Sequence, residues 1–191
     1  MSMKDTLARY LSSQREALLW KATGLSEYDL RRPLTPTGTN LLGLVKHCAL
    51  VEHGYLVESM GRTSRLALPR VDFDADPNGD FVACPDETAE SLIALYRAVG
   101  DEVERSVVSL DLDAPGHVEW WGDSGDTTFG RLLVHVLAEV ARHAGHADIL
   151  REAVDGAAGL TDGNTNLWEP EGGWEAHVAR VTELAEGARH D

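Results

Sequence analysis

The sequence predicts an all-α fold: a four-helix bundle with long loops and an additional short C-terminal helix. Three observations predict it. Apolar residues recur at spacings of three and four over four long segments, which is the signature of amphipathic helices. Little strand-like alternation is present. Two connections, at 61–86 and 113–126, are far longer than the roughly 2–8 residues usual between bundle helices, and such loops often form the mouth of a site.

The first helix is predicted over residues 4–24, on Leu7, Tyr10, Leu11, Leu18 and Leu19, with Gly24 as its stop. "RRPLTPTGTN" carries two prolines and a glycine and reads as a loop. Thr39 or Asn40 can cap a second helix that runs to about Met60, with Gly61 beyond it. The stretch 61–86 is rich in proline, aspartate and arginine. A third helix fits from about Asp86 to Leu110, where Leu92, Leu95, Tyr96, Val99 and Val103 repeat at helical spacing. "DAPGHVEWWGDSGD" is a second long loop, with a short extended piece at "HVEWW". Thr127 or Thr128 can cap a fourth helix to about Val154, and a shorter helix follows from Trp174 to about Glu186.

A chain of 191 residues is long enough for one domain with a full core. No apolar run is long enough for a membrane span, and the N-terminus lacks the apolar core of a secretory signal. The two cysteines, Cys48 and Cys84, do not make a disulfide framework. A cytoplasmic protein with free thiols is therefore expected. The net charge of −15 argues against a nucleic-acid binder and against an anionic membrane surface.

The segment "AEVARHAGHADILRE" poses the functional question. At about 100° per residue, Glu139, His143 and His146 share one stripe of the fourth helix with Leu132, His135, Val136 and Leu150. The stripe is apolar at its ends and ionisable in its middle. A carboxylate placed there needs a partner or stays protonated. A Glu and a His at i, i+4 can both reach one ion from a single helix. On the second helix, Leu44, His47, Cys48, Val51 and Tyr55 form the apolar face, so His47 is expected to point inward, while Glu52 and His53 lie off that stripe and are expected to be exposed. Each inward residue alone reads as a hydrogen-bonded core group. Together, on two helices, they point to a divalent metal held by His47, Glu139 and His143. Three protein ligands leave positions open for solvent or substrate.

At these residues the chain resembles a family. "GTNLLGLVKHCALVEHGYL" and "LLVHVLAEVARHAGHADILREAVDG", in that order and spacing, look like the DinB/YfiT-like metalloenzyme superfamily, closest to an actinobacterial domain-of-unknown-function branch. The resemblance implies a bundle with up-down-down-up connection and one divalent metal between helices two and four. The commonest ligand set in that family is one histidine on helix two and His-x-x-x-His on helix four. His47 matches the first and His143 the last. Position 139 departs by holding Glu, as in the similar mycothiol-dependent maleylpyruvate isomerase, which leaves the metal's identity open among zinc, the first expectation, nickel and manganese. His146 follows Gly145 and, with His135, is expected as an outer partner or alternative ligand. Residues 1–157 then form the metal-binding bundle, and 158–191 a loop and short helix packed on the same domain.

Characterised relatives activate a low-molecular-weight thiol, so the resemblance implies a thiol S-transferase or isomerase with mycothiol as cosubstrate and a small electrophile as partner. A non-catalytic metal-binding stress protein and a metal-dependent hydrolase are the alternatives, and a homodimer stays open. "DADPNGD" begins like a calcium loop, but Pro77 and Pro85 occupy ligand or turn positions, and it reads as a turn. Trp120 and Trp121 either line a pocket mouth or divide between core and a surface contact, and nothing in the sequence places His117 at the site.

Overall fold

The structure is a computed structural model that describes residues 1–190. Its principal helices are α1 (Met3–Lys21), α3 (Leu41–Leu56), α4 (Ala89–Ser109) and α5 (Phe129–Asp155), with the shorter α2 (Glu27–Arg31) and α6 (Gly173–Gly187). Each principal helix starts at a side-chain cap. Ser2 and Asp5 form a capping box on α1, Asn40 accepts from the Gly43 N–H at 2.8 Å, and Thr88 and Thr128 cap α4 and α5. Of the caps the sequence offered, Asn40 and Thr128 are the ones used.

The second predicted helix stops earlier than expected, at Leu56. Val57 leaves helical geometry, a 3₁₀ turn Glu58–Met60 follows, and Gly61 closes it at φ 66°. The extended piece falls two residues earlier than "HVEWW". Strand β1 (Pro115–His117) pairs antiparallel with β2 (Asp126–Thr128), and the tryptophans lie on the 3₁₀ segment Glu119–Ser124 between them.

Side-chain contacts give the directions of the helices. Lys4 on α1 reaches the carbonyl of Leu110 at the end of α4, while Arg15 lies against Gly100. These two helices are therefore antiparallel. The C-terminal end of α1 meets that of α5, where Arg151 donates to the carbonyls of Lys21 and Thr23. Lys46 pairs with Glu87, and Glu52 with Tyr96, so α3 and α4 run the same way. The connection is up-down-down-up.

Helix α3 is the central element. It packs on both α4 and α5, and thirteen of its residues are buried, on every side of the helix. That corrects the expectation for Glu52 and His53, which are 0% and 1% exposed. The sequence pattern of a single apolar stripe fails here because a helix surrounded by neighbours has no solvent face. Lys46 and Glu52 meet partners of opposite charge instead. Glu52 accepts from the Arg15 guanidinium at 2.5–3.2 Å and from the Tyr96 hydroxyl at 2.6 Å. The His53 ring nitrogens lie 3.4 and 3.5 Å from carboxylate oxygens of Glu58 and Glu102 but make no hydrogen bond among the described residues. Helix α6 carries no buried residue, and its Trp174, Val178, Val181 and Leu184 are exposed.

Candidate metal centre

Helices α3 and α5 run antiparallel with their stripes in register. His47 meets His143 with ring centroids 4.7 Å apart, and two turns further along α3 Tyr55 meets His135 at 4.8 Å. Glu139 lies one turn from His143 on α5. Its Oε1 is 3.1 Å from His143 Nε2 and 3.6 Å from His47 Nε2. One ligand atom from each of His47, Glu139 and His143 lies within 4.8 Å of the others. Both histidines are buried and Glu139 is half-buried, so the cluster is open on the carboxylate side.

The long connection before α4 completes the site. Asp80, on the 3₁₀ turn Gly79–Phe81, approaches His47 Nδ1 with Oδ2 at 2.6 Å. Phe81 stacks on the same imidazole at 3.9 Å and 16°. A carboxylate on Nδ1 fixes the tautomer: Nδ1 carries the proton and donates it, leaving the Nε2 lone pair free. That Nε2 is buried and has no hydrogen-bond partner among the described residues. Buried polar atoms are seldom left orphaned, so a ligand-sized charge is the natural complement.

The loop is held to α3 by several contacts. A Cβ at Gly43 would sit 1.9 Å from the Phe81 carbonyl oxygen, so glycine is required for the turn to lie this close. Lys46 donates to the Val82 carbonyl at 2.8 Å and to Glu87 at 2.9 Å. Arg31 on α2 donates to the carbonyl of Ala83. Asp80 and Phe81 were missed from the sequence, where "DADPNGD" read only as a turn. The usable signal was the aspartate at its end, but no local rule ties a turn to a helix 33 residues earlier.

Electrostatics suit a cation. Burial works to raise the Glu139 pKa, but hydrogen bonding and charge from His143, and then the nearness of His47 at 3.6 Å, outweigh it and hold the carboxyl below its ordinary value. Burial, reinforced by the charge of His47, lowers the His143 pKa, against the pull of Glu139. The site therefore presents an ionised carboxylate beside an imidazole biased toward its neutral form, the protonation states that metal ligation needs. The donor set, two imidazoles and one carboxylate, fits zinc, nickel or manganese.

The remaining sequence candidates divide. His146 is exposed, with Nδ1 3.3 Å from His143 Nδ1. His135 is exposed too and stands edge-on to Tyr55 and to Trp121, at 5.3 Å from the latter. Both tryptophans of the 119–124 segment gather on Tyr55, two turns along α3 from His47: the indole N–H groups of Trp120 and Trp121 point at the Tyr55 hydroxyl, at 3.1 and 3.3 Å. His117 is not brought to the cluster; it pairs with Asp126 across the β1–β2 ribbon. Cys48 is fully buried, and burial, followed by the charge of Glu52, pushes its thiol pKa well up, so it is no nucleophile.

A family model described as Mycothiol-S-transferase matches residues 6–156 of the chain. No curated protein matches it.

Proposed function

The chain belongs to the mycothiol-S-transferase family, and from that membership we propose that it is a divalent-metal-dependent enzyme that transfers or isomerises with a low-molecular-weight thiol of the mycothiol type. The observation that carries the reading is the buried, unpartnered Nε2 of His47, turned toward Glu139 and His143 by the Asp80 carboxylate. His47, Glu139 and His143 would hold the ion, with zinc the first expectation and nickel or manganese the alternatives.

Bound there, a divalent cation supplies the Lewis acidity that lowers a thiol's pKa and makes the nucleophile available at neutral pH. The protein's own residues do the rest. Asp80 and Phe81 fix the His47 ring from two sides. His146 stands at the outer nitrogen of His143, where it orients that ring. Glu139 brings a negative charge that reduces the net charge of the site by one. Tyr55, Trp120 and Trp121 form an aromatic rim beside the open face.

The test is a thiol panel. Purified protein loaded with each metal is given mycothiol, bacillithiol or glutathione and a generic electrophile. Metal-dependent turnover with mycothiol, lost in His47→Ala, is the expected result. A protein that binds metal yet turns over no thiol would refute the enzymatic reading.

A further inference from the structure

Beside the metal cluster lies a second feature that thiol activation leaves unused. A cavity of about 600 Å³ opens next to the aromatic rim, lined by Trp121, Ser124, Arg131, Val134 and His135. Its polar groups are a guanidinium, a hydroxyl, an imidazole and an indole, and no carboxylate lines it. In a chain of net charge −15 that is a selective composition. Arg15, Arg31, Arg32, Arg105 and Arg151 are each paired with a carboxylate. Arg131 instead rests over the face of Trp121, 5.2 Å from the ring centroid and so within the reach of about 6 Å of a cation–π contact. Stacking holds the guanidinium in place while leaving its N–H edge free, and a fixed fork of donors is suited to bidentate capture of a carboxylate. The Trp121 indole is itself held by its N–H to the Tyr55 hydroxyl.

Arg131, His135, Glu139 and His143 lie at successive intervals of four on α5, so the cavity and the ligand cluster share one stripe. Arg131 and Glu139 are about 12 Å apart along the helix axis, with His135 between them. We propose that this cavity is the subsite for a carboxylate borne by the electrophilic substrate, with Arg131 as its principal ligand and His135 and Ser124 as further donors. The acid group then stands several bonds from the reacting carbon. The assignment rests on the thiol-transfer reading for its role, and on the cavity's own chemistry for its ligand.

The experiment uses two neutral–anionic pairs on the full chain. Binding of hexanoate and hexanamide, neither of which reacts, is measured by calorimetry. S-alkylation of mycothiol by 6-bromohexanoate and 6-bromohexanamide is measured by bromide release. In that reaction the C–S bond forms as the C–Br bond breaks, bromide leaves with the electron pair, and the thiol proton passes to solvent. The expected result is tighter binding of hexanoate by about tenfold or more, and an acid-to-amide ratio of kcat/KM of similar size, as charged hydrogen bonds to guanidinium allow. Arg131→Gln should bring both ratios close to one, and Arg131→Lys should keep part of each. Equal binding of hexanoate and hexanamide, or unchanged hexanoate binding in Arg131→Gln, would overturn the subsite, the latter by locating the acid elsewhere, such as on the metal. Arg131-dependent hexanoate binding without turnover of either bromide would sink the thiol-transfer reading and leave the subsite standing. Turnover with no acid preference would do the reverse.

Discussion

Glu139 is the residue that most directly tests the proposed metal binding. Its carboxyl is held in the ionised range by His143 and His47 against the effect of burial. As a ligand it offers a charged oxygen; the neutral amide of Glu139→Gln is a poor donor to a hard cation and should weaken metal binding at least tenfold in calorimetric titration. His146→Ala should retain the metal with a smaller loss, because His146 touches only the outer face of His143. Full affinity in the first variant with none in the second would show that the two residues exchange roles. Asp80 makes a related prediction. It lies outside the candidate ligand set but meets His47 Nδ1 at 2.6 Å, and removing an outer carboxylate from a metal-ligating histidine typically costs about 10–100-fold in metal affinity. Asp80→Ala should fall in that range, and unchanged affinity would show that Phe81 alone positions the ring.

At the scale of an element, α5 has to place residues along more than seven turns, so its ends matter. Thr128 caps its start, and Gly156 at φ 77° ends it. Near the C-terminal end, Arg151 clamps Asp155 at 2.8–3.0 Å and donates to three carbonyls at the end of α1. The hydrogen bond from Arg151 is the main cause that lowers the Asp155 pKa, with burial working weakly against it. A depressed carboxylate stabilises the fold above its unfolded pKa, near 3.9, and that contribution is lost as pH falls through the folded value. Asp155→Asn should therefore melt below wild type at pH 7, and the gap in Tm should narrow at pH 3. A gap that is constant across that window would show that the charge of Asp155 is not what matters.

Across the whole molecule, a buried polar knot ties three helices together: Arg15 of α1, Glu52 of α3 and Tyr96 of α4. Gly100 leaves the room that the Arg15 guanidinium occupies, since a Cβ there would come within 2.9 Å of it. Breaking such a pair from one side strands a buried charge and costs about 3–5 kcal/mol, whereas replacing both partners with apolar groups is far milder. Glu52→Leu should lose about that much in urea unfolding, and Arg15→Met combined with Glu52→Leu should recover most of it. The candidate metal site lies on the other side of α3, so stripping a metal bound there should lower Tm as loss of any native-state ligand does, but leave the bundle folded by circular dichroism. Unfolding on chelation would favour a structural ion.

The sequence by itself determined the helices and the three-residue cluster. Helical periodicity, caps such as Asn40 and Thr128, and spacing of four between Glu139 and His143 are local properties, and they set which residues share a stripe. The inward direction of His47 was legible for the same reason, because it repeats with Leu44, Cys48 and Val51. What surrounds each stripe was not. Burial of Glu52 and His53 depends on α3 being enclosed by its neighbours, and the partners that Glu52 finds there, Arg15 and Tyr96, lie 37 and 44 residues away in the sequence. Only the tertiary structure laid the Gly79–Phe81 turn over Gly43 and put Asp80 on His47, and only it brought Arg131 and Trp121 together at one mouth. Periodicity encodes the direction in which a side chain leaves its own helix. The partner it meets there is set by packing between segments that no local pattern connects.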